Sequence, residues 1–250
     1  MDRTTAARLN AINLAFYCEH ADEFSAARER PWPGWTQLLG LLRARGSARE
    51  LDVLDVGCGN GRFGAFLSAE ASPPRRYVGI DASAELLAHA RARDVPGASF
   101  AVADLVAGDP EALLPEGPFS LVALFGVLHH VPGHERRRAL VEALVRRVAR
   151  RGLLALAAWQ RAGADLQRGR IVAWEDWNRS AREPVDPAEL EPGDCLLAWG
   201  SARQAVRYCH FADDAELAVL LGALPCTAVA SWRADGHEGC QNRYFALEPR

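Results

Sequence analysis

The 250-residue chain contains no lysine; all 29 of its basic residues are arginine. That excludes a lysine general base and a lysine Schiff base from its chemistry. It lacks any apolar run near the ~20 residues that a membrane-spanning helix needs. The opening stretch, Met1 to Asn13, has no apolar core of signal-peptide length. The expectation is a cytoplasmic protein with no membrane partner. Six cysteines, at 18, 58, 195, 209, 226 and 240, form no C-x-x-C pair and no close Cys/His cluster. A disulfide framework or a structural zinc site would need tighter grouping, so no metal is expected. Strong net charge is missing too. At a formal −3 the whole chain carries no electrostatic footprint for nucleic acid.

What is present suits one soluble domain over residues 1–250. Apolar residues at 49% and charged residues at 24% exclude a disordered chain. Short apolar runs alternate with amphipathic stretches. Leu51 to Val56 reads as a first strand, with a helix from Phe63 to Ala69. Tyr77 to Asp81 reads as a second strand, followed by a helix to about Ala92 with Ser83 as its N-cap. Ser99 to Ala103, Phe119 to Phe125 and Leu153 to Trp159 are further strands. A helix over 134–150 carries Leu140, Leu144 and Val148 at i, i+4 and i+8. Such alternation predicts an α/β fold with a mostly parallel, doubly wound sheet covered by helices on both faces.

Residues 1–50 read as an N-terminal helical segment broken at Pro31-Trp32-Pro33-Gly34. Residues 51–159 form the core. In 160–207 the alternation is lost, and Trp174, Trp177 and Trp199 stand among several prolines. That stretch is too long for a loop and reads as an insertion after strand five that builds substrate contacts. Residues 208–250 hold a helix near 213–222 and strands near 227–232 and 242–247.

The sharpest local feature is Val53 to Gly64, VLDVGCGNGRFG, between the first strand and the first helix. An open α/β sheet binds its ligand at such a turn. Gly57, Gly59 and Gly61 permit a tight turn and close approach of a ligand. The register is ambiguous: Gly59, Gly61 and Gly64 also fit the dinucleotide pattern G-x-G-x-x-G, with Asp81 twenty residues beyond Gly61. Asp55, two residues before Gly57, weighs against a pyrophosphate, because two anions would be forced together. It suits a ligand carrying a sulfonium and an ammonium group. Asp55, Asp81 and Asp104 each follow or close a successive strand, so all three face one edge of the sheet.

Asp55-x-Gly57-x-Gly59-x-Gly61 resembles motif I of the class I S-adenosylmethionine-dependent methyltransferases. The resemblance implies a Rossmann-like seven-stranded sheet and S-adenosylmethionine as cofactor. It implies ribose contact at Asp81 and adenine contact at Asp104. Phe125-Gly126-Val127-Leu128-His129-His130 is similar to the family's motif IV, which puts Phe125 beside the methyl donor and His129, rather than His130, toward the substrate.

Tyr17 to Pro33 (YCEHADEFSAARERPWP), Pro192 to Trp199 (PGDCLLAW) and Val206 to Leu217 (VRYCHFADDAEL) resemble the tRNA wobble-uridine carboxymethyl methyltransferases. By that likeness Arg28, Arg207 and Tyr208 join His129 as catalytic residues. The acceptor would be the carboxylate of 5-carboxymethyluridine, tRNA would be the partner, and a small zinc-binding activator subunit would assist. Cys209 stands where that family commonly has a second tyrosine. A carboxylate with a pKa near 4 is already ionised at neutral pH and needs no general base. Arginines at 136–138, 146–147 and 150–151 form either a phosphate-tracking face or a solvated helix face balanced by Glu135 and Glu142. Two rivals stay open: a small-molecule O- or N-methyltransferase on the same fold, and a non-catalytic partner that only binds the donor.

Overall fold

The computed structural model describes residues 1–160, 168–200, 205–236 and 238–250. Parts of the expected insertion, 161–167 and 201–204, therefore lie outside the described residues. Three helices lead the chain: α1 (Arg3–Glu19), α2 (Ala21–Ala26) and α3 (Pro33–Ala44). The Asp2 side chain caps α1 by accepting from the Thr5 N–H. The expected break at 31–34 falls slightly earlier, because Pro33 opens α3. Its missing N–H is harmless at that position. Trp35, Leu38, Leu39 and Leu42 of α3 are buried against one face of the sheet.

The core alternates as the sequence predicts: β1 (Asp52–Val56), α4 (Arg62–Glu70), β2 (Arg76–Asp81), α5 (Ala84–Ala92), β3 (Ala98–Val102), the short α6 (Pro110–Leu113), β4 (Phe119–Phe125), α7 (His134–Arg147) and β5 (Val148–Trp159). These five strands pair in parallel. β4 is buried along nearly its whole length, as expected where helices cover both faces. Ser83 does cap α5, accepting from the Leu86 N–H. The helix expected over 134–150 ends at Arg147. Val148 is already extended and pairs with Phe119, so β5 begins five residues before the expected Leu153.

After β5 come β6 (Ile171–Val172), α8 (Trp174–Asn178), β7 (Asp194–Trp199) and β8 (Ala205–His210). The three strands form a small antiparallel sheet. The expected boundary at 207 cuts through β8 and is corrected to follow that strand. Trp174 and Trp177 pack with Leu9 of α1, Val185, Leu196 and Tyr208. Neither lines the large cavity of the molecule; they seat the insertion on α1. The chain returns through α9 (Asp214–Gly222), β9 (Cys226–Ala234) and β10 (Asn242–Pro249). The seven-stranded sheet runs β3-β2-β1-β4-β5-β10-β9, with β10 antiparallel to both neighbours. Its strand order reverses between β1 and β4, which opens a crevice at their carboxyl ends.

A buried ionic cluster ties the insertion to this core. Arg137 of α7, 2% exposed, donates to Val131 O (3.0 Å), Glu191 (2.6 Å) and Glu216 (2.8 Å). His210 at the end of β8 donates to Asp194 (2.7 Å) and Glu216 (2.8 Å). Burial opposes charge on His210, but these two acids outweigh it and hold its pKa above the ordinary histidine value. At the far side, Asp235 accepts from the Gly34 N–H (3.0 Å), from Asn242 (2.7 Å) and from the Tyr244 hydroxyl, clasping the β9–β10 hairpin to α3.

Candidate active site

The crevice holds a cavity of about 410 Å³ between the sheet's carboxyl edge and a roof made by α1 and α2. The turn after β1 forms its floor. Gly57 and Cys58 both donate their N–H groups to Ile80 O (2.7 and 3.0 Å), which pins the turn to β2. Gly57 takes φ +67°, and a Cβ there would lie 2.0 Å from a Val127 methyl group. Gly59, at φ +54°, presents bare backbone to the cavity, and a Cβ there would enter open space. Gly61 does not line the cavity. It caps α4 at φ +74°, and a Cβ there would sit 3.0 Å from that of Ala90. Its role is close packing of α4 on α5, so the expected cofactor contact is corrected.

All three aspartates line the cavity. Asp55 is 2% exposed and accepts a hydrogen bond from the Tyr77 hydroxyl. Burial pushes its pKa up to about 7, against the opposing pull of the Tyr77 hydrogen bond. Asp81 accepts from the Gly59 N–H (2.8 Å) on one oxygen and the Ser83 N–H (2.9 Å) on the other. Each oxygen keeps a lone pair for a ligand hydroxyl. Asp104 accepts from Val106 and Ala107 N–H groups on one oxygen and from the Asn10 amide (2.7 Å) on the other. Phe125 forms an apolar wall, edge-on to Phe63 at 5.0 Å.

The opposite half is cationic and aromatic. Arg28, Arg207, His129 and His130 all line it. Arg207 is 5% exposed and makes one long contact, 3.5 Å, to the Tyr17 hydroxyl. Arg28 stacks over Phe24 at 3.7 Å. Neither has a carboxylate partner among the described residues. Burial, followed by the charge of Arg207, pushes the Arg28 pKa down to about 10, so it stays charged at neutral pH. His130 accepts from the Tyr17 hydroxyl (2.8 Å) at Nε2 and donates from Nδ1 to Tyr208 O (2.8 Å). Burial, with Arg207 adding to it, pushes its pKa down to about 3. Burial and the neighbouring His130, Arg207 and Arg28 hold His129 well below the histidine range. Both imidazoles are neutral.

Tyr208 is not in the cavity. Adjacent residues of a strand point to opposite faces, so β8 sends Arg207 inward and Tyr208 outward, where its hydroxyl donates to Asp194 (2.7 Å). The catalytic role expected for Tyr208 is corrected to a structural one. His129, His130 and Cys209 bring ligand-type atoms within 4.8 Å of one another, but both His130 nitrogens are engaged and Arg207 stands beside them. Glu191, Asp194 and His210 form a second such group, in which Glu191 is already paired with Arg137 and Asp194 with His210.

Sequence reasoning missed Asn10, Asn13, Tyr17 and Arg62, all of which line the cavity. The first three lie at i, i+3 and i+7 on one face of α1, and Asn10 and Asn13 are buried. Polar residues at helical spacing were the available signal. Arg62 opens α4 and stacks over Trp32 and Trp35 at 5.0 and 5.2 Å.

Comparison with known proteins agrees with this geometry. A family profile described as a methyltransferase domain matches residues 54–154. A protein of Encephalitozoon cuniculi described as a methyltransferase is 34% identical over 197 residues, covering 78% of this chain and 77% of that one. The tRNA (carboxymethyluridine(34)-5-O)-methyltransferase of Saccharomyces cerevisiae is 30% identical over 61% of this chain and 50% of its own length. Trans-aconitate 2-methyltransferase of Streptomyces avermitilis is 36% identical over 47% of this chain and 40% of its own. Among solved structures, a DhpI complex with S-adenosylmethionine shares the fold, with a TM-score of 0.64 at 21% identity, covering 96% of this chain and 98% of that one. No helix among the described residues is long and apolar enough to cross a membrane. The residues fit the expected cofactor: bare backbone at Gly59 leaves room where a side chain would intrude, and the cavity is lined by carboxylates of the kind that suit a cation and ribose hydroxyls. The chain belongs to the S-adenosylmethionine-dependent methyltransferases.

Proposed function

We propose that this methyltransferase esterifies a carboxylate, and that its acceptor is the carboxymethyl group of a modified wobble uridine in tRNA. One observation carries the reading: Arg28 and Arg207 face the cavity with no carboxylate of the chain, among the described residues, to neutralise them. A buried cation without a partner is costly, and an anionic acceptor supplies the missing charge. The substrates named for the relatives, a carboxymethyluridine and trans-aconitate, both carry carboxylates, which supports a carboxylate acceptor.

When bound, S-adenosylmethionine supplies an electrophilic methyl group on a sulfonium, which a carboxylate oxygen takes to become a methyl ester. The chain's own residues supply position. Asp81 would accept from the ribose hydroxyls, Asp55 would hold the α-ammonium, and Asp104 with Asn10 would hold the adenine. Arg207 holds one acceptor oxygen and leaves the other free to attack; a grip on both would blunt the nucleophile. No proton has to move, which agrees with two neutral histidines on the wall. His129 shapes the acceptor side without acting as a base. Phe125, Trp159 and the α1–α2 roof keep water away, which favours a reaction that brings an anion and a cation together.

Replacing Asp81 by alanine is expected to weaken S-adenosylhomocysteine binding roughly 5- to 150-fold, the scale of about 1–3 kcal/mol for losing a charged hydrogen-bond acceptor. Calorimetry checks this, and unchanged affinity would remove Asp81 from the ribose site. Asp55 gives a pH dependence. Below about pH 7 the free protein holds a neutral carboxyl there, and above it a carboxylate. A bound ammonium favours the carboxylate, so binding below that pH releases a proton. Affinity for S-adenosylhomocysteine is therefore expected to rise about tenfold between about pH 6 and about pH 8. A flat profile in calorimetry would place the ammonium away from Asp55.

On α7 the arginines with acidic partners support the solvated-face reading over a phosphate-tracking one. Arg138 pairs with Glu135 and Glu142, and Arg146 and Arg147 pair with Glu111. A second reading, a small polycarboxylate acceptor, is favoured by the number of free guanidinium groups, since two exceed what a single carboxylate needs. Incubation with isotope-labelled S-adenosylmethionine, total tRNA and a cell extract separates the two. Label in 5-methoxycarbonylmethyluridine after nucleoside mass spectrometry supports the tRNA reading. Label confined to small acids defeats it in favour of the second.

A further inference from the structure

Trp159 ends β5 at the carboxyl rim and is 7% exposed. Its indole lies parallel to the His129 ring, with centroids 3.9 Å apart and planes 10° from one another. The guanidinium carbon of Arg207 sits 5.4 Å from the same indole and 5.5 Å from the Phe16 ring. Little else holds either polar group. Among the described residues His129 Nδ1 and Arg207 Nε are buried without a hydrogen-bond partner, and the one hydrogen bond of Arg207 is the 3.5 Å approach to Tyr17. Hydrogen bonds from the protein would occupy the N–H groups that an acceptor needs. An aromatic face instead holds a guanidinium by its π-cloud and leaves the in-plane N–H edge unoccupied.

We propose that Trp159 is a positioning residue for the acceptor half of the site. It sets the plane of the Arg207 guanidinium and of the His129 imidazole, and so keeps the donor edge of Arg207 open to an incoming anion. Phe211, stacked on the indole with centroids 5.6 Å apart, backs the plate. The anion's identity as a carboxylate rests on the reading above; the placement of the two groups by the indole does not.

The test compares Trp159→Phe and Trp159→Leu with the wild type, all saturated with S-adenosylhomocysteine. Two NMR signals are followed, the Arg207 Nε–H and the His129 ring protons, assigned with Arg207→Ala and His129→Asn. Protons over an aromatic face are shifted upfield, so both should be upfield in the wild type, remain so with phenylalanine and return to ordinary positions with leucine. With tRNA as acceptor, KM is expected to rise about tenfold in Trp159→Leu and to stay within about threefold in Trp159→Phe, the scale set by one lost cation–π contact. S-adenosylhomocysteine affinity should stay within about twofold in both, since the donor half is untouched. Unshifted wild-type resonances, or a leucine variant that keeps wild-type shifts and KM, would overturn the proposal. Should Trp159→Leu fail to fold, the wild-type and phenylalanine spectra still decide it. If the wild type transfers nothing to tRNA, the acceptor reading fails alone and the resonances still judge the positioning.

Discussion

Arg207→Ala is expected to lower turnover by at least about 100-fold, the scale of about 2.7 kcal/mol for a lost group that orients and steadies reacting charge. S-adenosylhomocysteine affinity should stay nearly unchanged in the same variant. The separation follows from geometry. Arg207 arrives on β8 from the insertion, contacts Tyr17, Phe16 and Trp159, and touches none of the three aspartates on the donor side. Arg28 does not replace it, because its guanidinium is held over Phe24. Steady-state kinetics with calorimetry checks both halves. A collapse of donor affinity would assign Arg207 to the cofactor site or to the scaffold.

The second large effect is on stability. Arg137→Ala would leave Glu191 without its cation and Glu216 with His210 alone. Breaking a buried pair from one side costs about 3–5 kcal/mol. The two glutamates keep 24% and 20% of their side-chain surface, which places the expectation near the lower figure. For a chain of this length that is a fall in Tm of roughly 6–12 °C. Thermal and urea unfolding measure it. A loss under about 1 kcal/mol would mean that His210 alone satisfies the acids. Because the cluster holds the insertion to α7 and α9, the variant should also lose acceptor turnover before donor affinity as temperature rises.

The donor half of the site was legible in the sequence because its determinants are local. Asp55, Gly57, Asp81 and Asp104 lie within one or two residues of strand ends, and strand ends can be read from apolar runs. Gly61 was misplaced because its constraint comes from Ala90, on a different helix. The acceptor half depends on segments that read as irregular. Once 205–210 is known to be a strand, its period of two forbids Arg207 and Tyr208 from facing the same cavity. In an unassigned insertion that constraint is invisible, and both looked eligible. Asn10, Asn13 and Tyr17 share a face of α1, but only the docking of that helix over the cavity turns a polar stripe into a roof. Trp174 and Trp177 were legible as apolar contacts, though not as contacts with α1.

Chemical lability of the transferred label is the most direct test. A methyl ester made on a carboxylate hydrolyses in mild alkali and releases its labelled group as volatile methanol, whereas a methyl group on a base nitrogen or a ribose hydroxyl stays in place. Arg28 and Arg207, without a carboxylate partner among the described residues, predict release of essentially all the label. Label that survives alkali in the product would contradict a carboxylate acceptor and the role given to Arg207.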